Sequence, residues 1–483
     1  MESNKEIIDR VLDEFMPLTK IPRPSGHEKA VSDYLKGVFE GIGCSVVQDA
    51  VNNIIADLPA TKGFENAPLT ILQSHMDMVC VAEKGREYNP LTDEIKTIRT
   101  EEYLTADGTS LGSDDGSGIS EIIYIFKTLE KHGPLRAIIT VDEEVGMLGT
   151  EKLDAKYVQD ASFYINCDSE EDDLLTIGSA GSLDVEFHRE IHWGKTPEGK
   201  AWKVSVKGLL GGHSGERIGD GRGNALRVLG QLMLELGEAG ISFAVSSMEG
   251  GQARNAIADS ASFTFVSSAD EKEILKVLDN RKKRFLEAYG AVDPGMHIEL
   301  SADDKPEHVM SDEDVRALAE LLVTLHTGIF AMSSALPGLV ETSANIGMLR
   351  MTDKEVWFSY YPRSSVDYKL DSFSKKAIML GERFGCPAKV GTPSPAWHER
   401  TDSKLAKIIT EVFEEQHGAP MRVASIHAGL ECSWMVKRNP KLDVVSVGVT
   451  TYDIHSPKER LLLSTVASQV KMIKETLRRI ADM

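Results

Sequence analysis

The chain opens on a helical period. Across residues 5–18, Ile8, Val11, Leu12 and Phe15 recur at three- and four-residue steps and mark one stripe of an amphipathic helix. "IPRPSGHEKA" breaks it. Ser25 followed three residues later by Glu28 has the spacing of a capping box, which predicts a second helix carrying Val31, Leu35 and Phe39. The pattern then shortens. "NNIIADL", "PLTILQS", "LRAIITV" and "ASFYIN" read as strands, and "GISEIIYIFKTLE" reads as a helix with Ile119, Ile122, Ile123 and Phe126 on one face. Short apolar strands alternating with helices predict an α/β sheet covered on both faces.

Near residue 184 the character changes. "AWKVSVKGL" and "ASFTFVSS" alternate apolar and polar positions, and helices are predicted over 224–238, 270–288, 311–327 and 370–384. This is an α+β pattern, long enough for two such units, although no repeat is visible. "DSKLAKIITEVFEEQHG" and "LDVVSVGVTTYDIHSP" restore the first pattern with a helix and one more strand. Residues 1–183 and 394–483 are therefore expected to form one α/β domain, split around an α+β insertion at 184–393.

Composition narrows the function. The chain has 483 residues and a net charge of −21, so a binder of nucleic acid or anionic membrane is not expected. Five cysteines without a CxxC pair suit a reduced compartment better than a disulfide framework. The N-terminus has no apolar signal core and no run approaches membrane-spanning length, which predicts a soluble, cytoplasmic protein.

Candidate chemistry gathers just past the predicted strands. His75 and Asp77 follow "PLTILQS", Glu143 and Glu144 follow "LRAIITV", Asp168 follows "ASFYIN", and His455 follows the last strand. In open α/β sheets, ligands bind at the carboxyl ends of the strands. One His or Asp there is more often a turn or cap residue. Together these residues offer imidazole and carboxylate donors suited to zinc or a similar divalent ion. "SLGSDDGSGIS" adds Asp114 and Asp115 at the start of a helix. One acid would serve as a cap, and the loop has two. "VDEEVG" sets Asp142, Glu143 and Glu144 side by side, where like charges repel unless a cation lies near.

"SHMDMV", "LGSDDGSG", "VDEEVGMLGT", "YINCDSEE", "GLLGGHSGERIGDGRGNA" and "DIHSP" stand in the order found in the M20 metallopeptidases. Along essentially its whole length the chain resembles that family, and most closely its aminoacyl-histidine (Xaa-His) dipeptidases. The resemblance implies a zinc-peptidase-like catalytic domain interrupted by an inserted lid and dimerisation domain. It implies two Zn2+ per subunit, which Co2+ or Mn2+ could replace, and a homodimer formed through the lid. His75 and Asp168 would then hold one metal, Glu144 and His455 the other, and Asp114 would bridge them, ahead of an Asp–Asp peptide that is cis in this family. Asp77 would orient His75, and Glu143 would be the general base. One departure is that this subgroup often has Asp-Asn where this chain has Asp114 and Asp115.

In the insertion, the resemblance gives His213 of "GGHSGE" to the tetrahedral intermediate and Asn255 of "GGQARNAI" to the oxyanion or the substrate backbone, while the guanidinium of Arg254 is suited to pair with a substrate carboxylate. Arg363 of "YYPRSSVD" is a further substrate candidate, a structural arginine being the simpler reading. "SIHAGLECSW" supplies His427, Gly429 and Glu431, in a loop that the resemblance places in the substrate pocket. Glu431 either faces the substrate's amine or is a buried structural acid. The expected activity is hydrolysis of unblocked dipeptides, Xaa-His above all. Tripeptidase, carboxypeptidase and N-acyl amino acid deacylase are alternatives on the same core. A silent peptide- or metal-binding relative would be expected to lack the base or a ligand, and this chain has all of them.

Overall fold

In the computed structural model, which describes residues 2–334, 336–400 and 402–483, neighbouring residues of the inner strands face different cores. Ile54 and Ala56 join one apolar cluster and Ile55 another; Leu72 and Ile71, Ala137 and Ile138, and Val445 and Val444 divide in the same way. A strand that is apolar on both sides must be covered on both sides. The helices Asn4–Phe15, Lys29–Ile42, Ser113–Thr128, Lys404–His417 and Leu463–Ala481 supply the first cluster. Cys432–Arg438, Trp397 and the segment around Leu153 supply the other.

The sheet has eight strands, in the order Ser45–Gln48, Ile54–Leu58, Leu135–Thr140, Thr70–His75, Phe163–Asn166, Asp443–Ser446, Leu174–Ser179 and Arg422–Ile426. The four from Leu135–Thr140 to Asp443–Ser446 run parallel, so their carboxyl ends open on one edge. The periodicity predicts an α/β sheet covered on both faces, and the structure has one; its outer pairings are antiparallel, so the sheet is mixed.

Two compact units contain these elements. The first comprises Met1–Ser179, Trp397–Ser425 and Leu430–Met483, the second Ala180–Ala396 and Ile426–Gly429. The chain changes unit a few residues from the change of pattern at 184 and 393, and the brief return at 426–429 carries no pattern of its own. Where the first unit is interrupted, Ser179 and Trp397 exchange backbone hydrogen bonds of 2.9 and 3.0 Å. In the second unit, helices Ala225–Glu238, Glu271–Tyr289 and Asp312–Thr324 each begin at a side-chain cap, from Asn224, Asp270 and Ser311. Ten of its strands form one antiparallel sheet rather than two separate units, with the halves joined where Gly250 lies opposite Leu349, and Trp193–Lys195 pairs with His308–Met310 in a small ribbon of its own. No described helix is long and apolar enough to cross a membrane.

One local expectation is corrected. Helix Lys29–Ile42 has Glu28 at its cap position but no side-chain capping bond. Ser25 Oγ donates instead to Asp77 Oδ2 at 2.7 Å, and Glu28 Oε1 accepts from the Asp142 N–H at 3.0 Å.

Candidate metal centre

The parallel strands deliver the candidate ligands. Thr70–His75 ends on His75, which is buried; Asp168 lies two residues past Phe163–Asn166; His455 sits in a turn beyond Asp443–Ser446. After Leu135–Thr140 the chain leaves strand geometry. Asp142 is left-handed at φ 53°, and the Glu143 carbonyl accepts from the Gly146 N–H at 3.0 Å. The turn removes the constraint that adjacent residues of a strand point to opposite faces. The Asp142 carbonyl accepts from the Leu148 N–H at 3.1 Å.

Asp114 is the centre of the cluster. Its Oδ1 lies 3.0 Å from His75 Nε2, and its Oδ2 lies 3.0 Å from His455 Nε2. Beyond these imidazoles, Asp168 Oδ1 is 3.5 Å from His75 Nε2 and Glu144 Oε1 is 2.9 Å from His455 Nε2. The five residues therefore make two half-sites that share one carboxylate. Asp115 could also complete a group with His75 and Asp168. Its oxygens are already engaged, however. Oδ2 accepts from Ser74 Oγ and the His75 N–H, and Oδ1 accepts from the Gly118 N–H at 3.1 Å. Asp114 is thus the better bridge. The Asp114–Asp115 peptide is cis.

Asp77 is buried, and its Oδ1 is 3.3 Å from His75 Nδ1. It also accepts from the Glu143 N–H at 3.0 Å and the Glu144 N–H at 3.2 Å. One carboxylate therefore stands beside the His75 imidazole and anchors the turn that bears both glutamates, a supporting arrangement common around metal ligands. Burial pushes its carboxyl up, but His75, Ser25 and the Glu143 amide outweigh that and hold it below the ordinary value. The Glu143 carboxyl has no hydrogen-bond partner among the described residues. Burial, and then Asp168, Glu431 and Glu144, push it well up, against the pull of His75.

The electrostatics of the cluster favour positive charge. Burial and the neighbouring acids raise Asp168 to about 7. Burial would lower His455, yet Asp114 and Glu144 drive it up to about 11. Imidazoles that hold protons this firmly stand where positive charge is needed. Two imidazole nitrogens and three carboxylates fit divalent cations such as zinc. Bound cations would also ease the repulsion among Asp142, Glu143 and Glu144.

Several expected substrate contacts are redistributed. Glu431 is buried, and its carboxylate accepts from Gln73 Nε2, Thr140 Oγ1 and Thr150 Oγ1, so both of its oxygens are engaged in the interior, which favours the structural reading over a contact with an amine. Arg254 is paired with Asp184 Oδ2 at 2.9 Å and with Glu186, and lies over Trp357, so its charge is already matched. Arg363, the weaker candidate from the sequence, is 4% exposed and has no carboxylate partner among the described residues. Its Nη2 is 3.3 Å from His213 Nε2, and its buried Nε lacks a partner. His427 Nε2 bonds Ser343 Oγ at 2.7 Å while its Nδ1 is unmatched. The Asn255 side chain is exposed, and its carbonyl accepts from the Ser214 N–H at 2.7 Å. Gly429, half-buried, contributes only backbone. Unpaired donors around a buried guanidinium suit a carboxylate.

Sequence reading passes over Arg23 and Glu459, and it gives Ser25 and Glu28 only the role of a local cap. No local signal marks what these four hold, because each meets its partners far along the chain.

Comparison with known proteins gives a consistent picture. The family model described as peptidase family M20/M25/M40 matches residues 71–479. The chain is 31% identical over 473 residues, 97% of each chain, to the cytosol non-specific dipeptidase of Escherichia coli (strain K12). The crystal structure of aminoacylhistidine dipeptidase from Vibrio alginolyticus superposes with a TM-score of 0.84 at 28% identity, covering 97% of this chain and 96% of that one. A tripeptidase from Staphylococcus aureus shares the fold at a TM-score of 0.56 and 17% identity, covering 99% of both chains.

Proposed function

The chain belongs to peptidase family M20/M25/M40, and on that footing we propose that it is a cytosolic metallo-dipeptidase that hydrolyses unblocked dipeptides, with Xaa-His its preferred class. The observation that carries the reading is Asp114, whose two oxygens each lie 3.0 Å from a different imidazole. His75 and Asp168 would hold one divalent cation and His455 and Glu144 a second, with Asp114 between them and zinc the expected metal. Such cations would polarise the scissile carbonyl and make a nearby water acidic enough to attack it at neutral pH.

The chain's own groups do the rest. Glu143, whose carboxyl has no hydrogen-bond partner among the described residues, takes the water's proton and returns it to the leaving amine. Asp77 keeps His75 in the tautomer that presents Nε2. Arg363 receives the substrate's carboxylate, with His213, Asn255 and the backbone at Gly429 as further polar contacts. Glu431 and Arg254 have no part in this scheme.

A deacylase of N-acyl amino acids would use the same carboxylate site, so substrate choice needs a direct test. Metal-reconstituted enzyme is offered Gly-His, β-Ala-His, a tripeptide and an N-acetyl amino acid. The expected result is release of histidine from the dipeptides and little turnover of the other two. No hydrolysis of any short peptide with zinc, cobalt or manganese would overturn the reading. Dimerisation through the second unit belongs to the same proposal, and sedimentation equilibrium would detect it.

A further inference from the structure

We infer that Arg23 and Glu459 are positioning residues that clamp the segments bearing the ligands and so set the affinity for the cations; the inference rests on the metal-site reading above. Glu459 is 2% exposed and has no arginine or lysine partner among the described residues. Its Oε2 accepts from the Leu111 N–H at 2.8 Å and the Gly112 N–H at 3.0 Å. Its Oε1 accepts from the Ser113 N–H at 2.8 Å, Ser113 Oγ at 2.9 Å and the Asp114 N–H at 3.3 Å. A carboxylate offers about four lone-pair positions, and these donors fill them. The charge is held by successive backbone amides, as in an anion-binding nest. Glu459 belongs to the turn that carries His455, closed by its own N–H to the Ser456 carbonyl at 3.2 Å. It therefore ties the His455 turn to the segment that presents Asp114.

Arg23 works on the same segment from its carbonyl side. It too is 2% exposed and forms no ion pair among the described residues. Its Nη1 donates to the Met76 carbonyl at 3.0 Å and the Asp77 carbonyl at 3.1 Å, and its Nη2 donates to the Gly112 carbonyl. It thus ties the end of the His75 strand to the Asp114 segment. The glycines of "LGSDDGSG" make room for it. A Cβ on Gly112 would come within 2.5 Å of Arg23 Nη2, and one on Gly116 within 2.8 Å. Two opposite buried charges grip one segment, one by its carbonyl and the other by its amides, and neither touches a candidate ligand's side chain. Burying charge costs several kcal/mol per ion in general, so stability alone does not call for this arrangement. A fixed distance between His75, Asp114 and His455 does.

The test measures zinc binding by the metal-free full-length protein in competition with a chromophoric chelator, beside thermal melting and dipeptide hydrolysis. Glu459→Gln keeps the shape and removes the charge. Arg23→Lys keeps the charge and removes the fork. Each is expected to weaken zinc binding 10- to 100-fold, the usual scale for residues behind metal ligands, with hydrolysis restored by excess zinc at unchanged KM. Arg136→Gln is the control: that arginine is also buried, paired with Asp57 and Asp160 away from the ligand segments, and its loss should lower melting while sparing zinc affinity. Wild-type zinc affinity in both clamp variants would overturn the proposal, as would an equal loss of affinity in Arg136→Gln. If Glu459→Gln does not fold, Arg23→Lys decides by the same criterion. Wild-type enzyme that binds zinc but cleaves no dipeptide would sink the dipeptidase reading and leave the zinc measurements to judge the clamp.

Discussion

Glu143→Gln should separate chemistry from metal binding. The substitution keeps the side chain's size and leaves the Glu143 N–H on Asp77 Oδ1 at 3.0 Å, so the turn is unchanged. The lost carboxyl has no hydrogen-bond partner among the described residues, so no structural network goes with it. Burial and three neighbouring acids already disfavour its charge, and removing it relieves repulsion. The melting temperature of the metal-free protein should therefore hold or rise. Turnover should fall by the two to four decades typical of a lost general acid–base group, about 3–5 kcal/mol on the barrier. Glu144→Gln is the counterpart. Glu144 Oε1 stands 2.9 Å from His455 Nε2, so that variant should lose zinc first and activity as a consequence. Steady-state hydrolysis of Gly-His beside zinc competition reads both variants. A Glu143→Gln enzyme within tenfold of wild-type turnover with its metals bound would refute the assignment. So would a loss of zinc affinity equal to that of Glu144→Gln.

Asp77→Asn should cost about 10- to 100-fold in zinc affinity or turnover, because the amide cannot hold His75 and both glutamate amides as the carboxylate does; the same competition assay reads it. Arg363→Gln should lower kcat/KM for dipeptides by about 10- to 100-fold, the scale of a lost charged hydrogen bond, mainly through KM. Gly112→Ala puts a Cβ on a residue at φ +72° and against Arg23 and Met78, and should destabilise the metal-free protein by about 1–3 kcal/mol in a melting assay. Burial first, and then Arg363, lower His427 from 6.5 to about 3. Its unfolded form thus binds the proton that the folded form refuses. Its contribution to stability is complete above pH 6.5 and is lost at about 1.4 kcal/mol per pH unit as pH falls toward 3. Wild type should therefore lose about 2 kcal/mol more than His427→Gln between pH 6.5 and pH 5. Parallel stability curves would contradict this.

Periodicity located the sheet because its inner strands are apolar on both faces, and a run such as "LRAIITV" has few other readings. The candidate ligands were legible for a related reason: they sit just past those strands, where chain direction alone brings them to one edge. The supporting residues were not. Ser25 and Glu28 have the spacing of a local cap, yet their partners are Asp77 and Asp142. Spacing along the chain cannot distinguish a bond to the next turn from one to a distant strand. Sequence favours Arg254 over Arg363 as the substrate's partner, but only the structure reveals that Asp184 and Glu186 already neutralise the first. Glu431 is similar, since the hydroxyls and amide that consume its carboxylate come from three other segments.

The paired backbone bonds between Ser179 and Trp397 bear on how such a protein can change over generations. To the first unit, the whole inserted segment is a loop whose ends are already stapled together. The entropy of closing a loop rises only slowly with its length, so a different segment grafted at the same two residues would disturb the host little. The strand edge that carries the candidate ligands would then be inherited intact while the inserted segment varies.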